Sequence, residues 1–232
     1  MSYSKLSPEP IGSTLALLGR RIGERFPDSG LRGVAAELAL VAAANTVVLE
    51  QLRRPLWWLR SLTALTILAL VSLVLWAGLQ LFATARGGEA SLTEMLQGID
   101  AATNLLILLS IAVLFLVSLE ARLKRRTALA MLHRLRSIAH VVDMHQLTKD
   151  PEHARHEVEP TASSPERKLD AGQLARYLDY CSELLALTSK LAALHAQHLS
   201  DPVVLDAVND IETLTSDLSR KIWQKITILD VR

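Results

Sequence analysis

The 232-residue chain is 50% hydrophobic but only 4% aromatic, and its 25 Lys/Arg and 24 Asp/Glu leave a formal charge of +1. With its basic residues gathered beside apolar runs instead of on a face of their own, the sequence argues against nucleic acid as a partner. Leu, Ala and Val dominate while Gly and Pro are few, so the predicted fold class is all-α, with long helices. The single cysteine, Cys181, rules out an internal disulfide and sits in an apolar helical stripe, as a small buried hydrophobe would.

Met1 to Pro10 is polar, and the first apolar patch, Leu15 to Leu18, is too short for a signal-peptide core. Any membrane insertion is therefore expected to rely on internal segments. Ile11 to Arg25 mixes Leu15, Leu18 and Ile22 with Arg20, Arg21 and Arg25. This is the pattern of a basic amphipathic helix that lies on a membrane surface or docks on the rest of the chain. Leu31 to Leu56 carries Leu31, Val34, Leu38, Val41, Leu49 and Leu52 at helical spacing and is stopped by Pro55. Its uncharged stretch, Leu38 to Leu49, is too short to cross a bilayer, which predicts a packed or interfacial helix. Asn45 interrupts its apolar stripe, and an amide there is expected to make an interhelical hydrogen bond.

Two runs stand apart. No charged residue occurs from Ser61 to Thr84, nor from Ala101 to Leu119 between Asp100 and Glu120. As helices rising about 1.5 Å per residue, each is long enough to cross a hydrocarbon core of about 30 Å. Arg53, Arg54 and Arg60 precede the first run; Arg122, Lys124, Arg125 and Arg126 follow the second; the connection holds only Arg86. The bias toward positive cytoplasmic flanks puts both chain ends in the cytoplasm, with a bacterial inner membrane as the expected location. In an antiparallel hairpin Ser72 would meet Ser110, and Gln80 would meet Asn104, as polar contacts between the spans. The loop from Ala85 to Asp100 is expected to turn at Gly87 and Gly88 and to hold a short helix with a Ser91/Glu94 capping box.

Beyond the second run the apolar period continues through Ala128, Leu132, Leu135, Ala139 and Val142, so one helix is expected from about Ala101 to Leu147. Residues 149–170 are polar and proline-containing and read as a flexible linker. Then Leu174, Leu178, Cys181, Leu185, Thr188, Ala192, His195 and Leu199 form one stripe, and Val204, Val208, Ile211, Leu218, Ile222 and Leu229 another. Asp201-Pro202 fits an N-cap with proline at the first helical position, placing a turn near Ser200. The expected organisation is thus N-terminal helices over 1–56, a transmembrane hairpin over 57–120, a cytoplasmic extension over 121–148, the linker, and a helical hairpin over 171–232.

The densest polar constellation is His140 and Asp143 at i, i+3, with His195 and His198 similarly spaced on a later helix. Together these four are a candidate metal set of imidazoles and a carboxylate. Solvated faces, or an interhelical contact in which Asp143 or Glu residues satisfy a histidine, compete with it. No phosphate-binding loop, HExxH, GxSxG or CxxC occurs, so neither an enzyme nor a cofactor is expected. Cys181 is expected to lack the electropositive setting that activates a thiol. Arg122, Lys124, Arg125 and Arg126 are expected to contact anionic lipid headgroups.

Two functions account for this layout. One is a membrane-anchored protein whose cytoplasmic helices form a homo-oligomer or dock a cytoplasmic protein. The strongest argument for self-association is that a two-helix hairpin cannot bury both of its faces alone and needs the helix from Leu123 to Leu147, the N-terminal helices or another copy of the chain. The other is an oligomeric channel gated by those helices, its lumen lined by Ser, Thr and Gln.

Overall fold

A computed structural model of the chain describes residues 5–87, 92–149, 151 and 169–230. Six helices follow one another: α1 Pro8–Arg25, α2 Gly30–Arg53, α3 Trp57–Gly87, α4 Leu92–Leu147, α5 Ala171–His198 and α6 Pro202–Asp230. Among the described residues there is no strand. The chain divides into two compact units, one over residues 54–124 and one made of 1–53 with 125–232.

The second unit is a bundle with a single core. α5 is its axis: thirteen of its residues are buried, on every side and not on one stripe. The sequence pattern found Leu174, Leu178, Cys181 and Leu185. Leu184, Leu187, Leu191 and Leu194, on the opposite side, are equally enclosed. α6, α1 and α2 all pack against α5. The same apolar cluster takes in Ala128, Leu132, Leu135, Ala139 and Val142 of α4. At roughly 1.5–3 kcal/mol for each large apolar side chain enclosed, this core dominates the bundle's stability.

Of the elements that could cover the face the α5/α6 pair cannot bury alone, the chain's own α1, α2 and α4 do so. Burial of that face does not require a second copy. For α1, docking replaces the membrane-surface alternative, since Ile11, Leu15, Leu18 and Ile22 are buried. α2 is likewise packed, through Leu31, Leu38, Val41 and Leu49.

Helix ends follow local chemistry. α5 opens with a capping box, in which Gln173 N–H donates to Asp170 Oδ1 at 2.7 Å and Asp170 N–H to Gln173 Oε1 at 3.2 Å. Asp201 caps α6, accepting from the N–H groups of Val203 and Val204, with Pro202 at the first helical position as expected. The C-terminus of α4 is closed from α6, where Lys225 Nζ donates to the carbonyls of Gln146 at 2.8 Å and Lys149 at 3.1 Å. A cation on the last carbonyls also offsets the helix dipole.

The unit over 54–124 holds α3 and the first part of α4, and its surface is apolar. α3 and α4 are candidate membrane spans: their most apolar 18-residue windows have mean hydropathies of 2.3 and 2.5, and neither window contains a buried residue. On α3 the partly shielded positions are Thr63, Thr66, Leu70, Leu73 and Ala77. Their 3/4 spacing puts them on one side of the helix and marks a packing seam, which the short side chains of Thr63, Thr66 and Ala77 allow a neighbour to approach closely. At one end of the hairpin Glu120 accepts from Arg60 Nε at 3.3 Å and from Lys124 at 3.1 Å. The expected loop is mostly helical, since α3 continues to Gly87 and α4 begins at Leu92, with no proline between them to stop either helix. The Gly88 turn, Ser91 and residues 152–168 of the linker lie outside the described residues.

Candidate functional site

The four candidate metal ligands are engaged separately. His140 is exposed on α4. Asp143 Oδ1 accepts from Gln146 Nε2 at 2.6 Å. His198 Nδ1 donates to the carbonyl of Leu194 at 2.6 Å. Among the described residues no group of three or more His, Cys, Asp or Glu is placed to hold a metal ion.

His195 instead meets Asn45 in the bundle core, both with no exposed surface. Asn45 Nδ2 donates to the carbonyl of Leu191 at 3.2 Å, which leaves its Oδ1 as acceptor. His195 Nε2–H donates to that oxygen at 2.6 Å. Nδ1 of His195 is then a bare acceptor with no partner. Burial, reinforced by the neighbouring His198, pushes the imidazole down to about 4, so it is neutral near pH 7. The interhelical bond expected of Asn45 is thus made, to a histidine and a backbone carbonyl.

Cys181 is a free, fully buried thiol. Contrary to expectation, Lys149 and Lys225 supply positive charge nearby. Burial outweighs them and pushes the thiol up to about 12, which keeps it protonated and unreactive.

The four basic residues assigned to lipid headgroups divide. Arg122 and Arg126 are both exposed. Lys124 pairs with Glu120 at 3.1 Å. Arg125 holds Asp201 at 2.7 Å, tying α4 to the start of α6. Burial works against the Asp201 carboxylate, but the bonds from Arg125, Val204 and Val203 outweigh it and hold the group below the usual carboxylate range. Of the polar residues in the apolar runs, Ser72, Gln80 and Asn104 occupy exposed positions, off the shielded seam. Asn104 donates to Asp100 at 3.3 Å and Ser110 to the carbonyl of Leu106 at 2.7 Å, so these two groups are satisfied along α4 itself.

One concave feature was not read from the sequence. A cleft of about 470 Å³ opens where α1 ends, α2 begins and α4 terminates. Its lining includes Arg25, Lys149, His145, Gly30, Tyr177 and, as the one carboxylate among the described residues, Asp28. A Cβ at Gly30 would meet the His145 ring, which would have to move aside. Tyr177 is 3% exposed, with Phe26 edge-on to its ring at 5.4 Å and Lys149 Nζ over it at 5.2 Å. Phosphate-loop motifs could not reveal this cleft, because its residues come from three distant stretches of chain.

No family model, no curated protein and no solved structure matches this chain.

Proposed function

We propose that α3 and α4 cross a lipid bilayer as an antiparallel hairpin, and that the bundle is a cytoplasmic docking module held at that membrane. The observation that carries this reading is the pair of long apolar windows with no buried residue: in water such a surface would aggregate, and in hydrocarbon it is at its lowest free energy. Local chemistry supports it. The hydroxyls of Thr63, Thr66, Thr103 and Ser110 each donate to the carbonyl four residues earlier, so they need no water. Arg60, Glu120 and Lys124 neutralise one another where the apolar run ends.

The docking role rests on the bundle's surface. Its core is complete, yet Leu40, Val47, Val141 and Met144 remain exposed, as contact residues for a protein partner or a second copy. Anionic lipid is recognised by Arg122 and Arg126, the two basic residues of the cluster that hold no carboxylate among the described residues.

Because Cys181 is buried, single-cysteine labelling reads the topology directly. In vesicles prepared right side out, Ala90→Cys should react with an impermeant maleimide from outside, and Ser200→Cys only after permeabilisation. Labelling of both from one side, or release of the protein by alkaline carbonate, would overturn the reading.

A further inference from the structure

We infer that the cleft between the end of α1, the start of α2 and the end of α4 is a binding site for a phosphoryl group. The inference is independent of the membrane reading, since every residue it uses belongs to the bundle.

Charge comes first. Arg25 and Lys149 line the cleft, and neither pairs with a carboxylate among the described residues, of which Asp28 is the only acid in the lining. This distinguishes the site from the neighbouring Arg21 and Arg176, which are neutralised by Glu183 at 3.2 Å and Asp179 at 2.9 Å. Two uncompensated cations in one concavity attract a group of charge near −2.

The start of α2 adds a directed donor. The first N–H groups of a helix lack intrahelical acceptors. Ser29, which precedes α2 and would commonly cap it, turns its hydroxyl back to the carbonyl of Phe26 at 2.8 Å. The amide of Gly30, which lines the cleft, is thereby left for a ligand, at the positive end of a 24-residue helix dipole.

Tyr177 is the third, independent indication. It is almost wholly buried and lines the cleft, yet its hydroxyl has no hydrogen-bond partner among the described residues. Burial raises its pKa, so the hydroxyl stays protonated and able to donate. A donor at the wall of the cleft that no protein acceptor occupies is available to a ligand oxygen. A guanidinium, an ammonium, a backbone amide and a phenol around about 470 Å³ suit the oxygens of a small phosphate ester. Lys225 fixes the wall that carries Lys149 by holding that residue's carbonyl.

The source of the phosphoryl group is either a soluble molecule or a lipid headgroup, and two arms of one experiment tell them apart. The full chain in uncharged detergent is titrated with inorganic phosphate and pyrophosphate at constant ionic strength, with chloride as control. In parallel, it is reconstituted and allowed to capture phosphatidylcholine vesicles with and without phosphatidic acid. Saturable binding of pyrophosphate that weakens about tenfold or more in Arg25→Gln/Lys149→Gln, and several-fold in Tyr177→Phe, supports a soluble ligand. Capture that requires phosphatidic acid and these same residues, and that pyrophosphate does not displace, supports a headgroup. Gly30→Ala, which drives the His145 ring off the start of α2, should weaken either mode. Circular dichroism confirms that each variant folds. No saturable binding in either arm, or equal binding by the Arg25/Lys149 double variant, overturns the proposal.

Discussion

α4 passes through two environments under opposite rules. From Ala101 to Leu119 it is apolar on all sides, with Ile107, Leu108, Leu114 and Phe115 exposed. From Ala128 to Val142 it is amphipathic, and Ala128, Leu132, Leu135 and Val142 are buried among other helices. The first stretch has the greater hydrophobicity and the less protein around it. Amount of apolar surface therefore marks which solvent a helix suits, while its periodicity marks whether it has protein neighbours. The bundle is held by packing around α5, and the hairpin requires only a surrounding that tolerates its surface.

The sharpest break of this contrast uses one substitution in each unit. Leu184→Ala removes a fully buried side chain from α5 and should cost about 2–5 kcal/mol. Leu108→Ala trims a side chain that is 62% exposed and should leave the bundle's stability unchanged. Native-state modification of Cys181 measures this, because the thiol reacts only when the core opens. Leu184→Ala should speed it by roughly thirtyfold or more. Equal acceleration by both variants would mean that the two units do not differ as described.

Next in size is a pH response confined to the bundle. His195 is held neutral, with a folded pKa of about 4 against an ordinary 6.5. Its contribution is therefore fully present above pH 6.5. As pH falls from 6.5 toward 4 the unfolded chain takes up a proton that the folded one refuses, and stability drops by an amount on the order of 3 kcal/mol. Below about pH 4 the folded form also protonates and the loss levels off. Chemical unfolding measured between pH 7 and 4 should show this slope for the native chain and not for His195→Gln. A slope that survives the substitution would place the titrating group elsewhere.

Most of the helices were legible because their signals are local: apolar periods, the uncharged runs, Pro55 and the Asp201-Pro202 cap. The fully enclosed character of α5 was not. Its residues form two stripes on opposite sides, and one stripe was read as the whole buried face. The pair search among histidines followed residue type, whereas the contact that forms joins His195 to Asn45, 150 positions away, through depth of burial. The cleft was hidden for the same reason. Lys149 at the edge of the linker, Arg25 at a helix end and Tyr177 in an apolar helix become one feature only after folding. The capping box Asp170/Gln173 was present in the sequence as a short pattern, but it lay at the edge of a segment dominated by linker composition.

The smallest effect concerns Asp201, which has two roles that substitutions can separate. Asp201→Ala removes both the α6 cap and the partner of Arg125, and should lower stability by about 1–2 kcal/mol, most of it from the lost cap. Asp201→Asn keeps a good capping side chain and removes only the charge, so it should cost no more than about 1 kcal/mol, because Arg125 is 39% exposed and screened by water. The carboxylate's folded pKa lies below its unfolded value, so the charge contribution is present above that unfolded value and is lost as pH falls through the folded one. The gap between native and Asp201→Asn stability should accordingly close in strong acid, below the window in which His195 acts, and should narrow with added salt. A gap between these two proteins that persists in acid would assign the loss to packing around Asn instead of to the Arg125 pair.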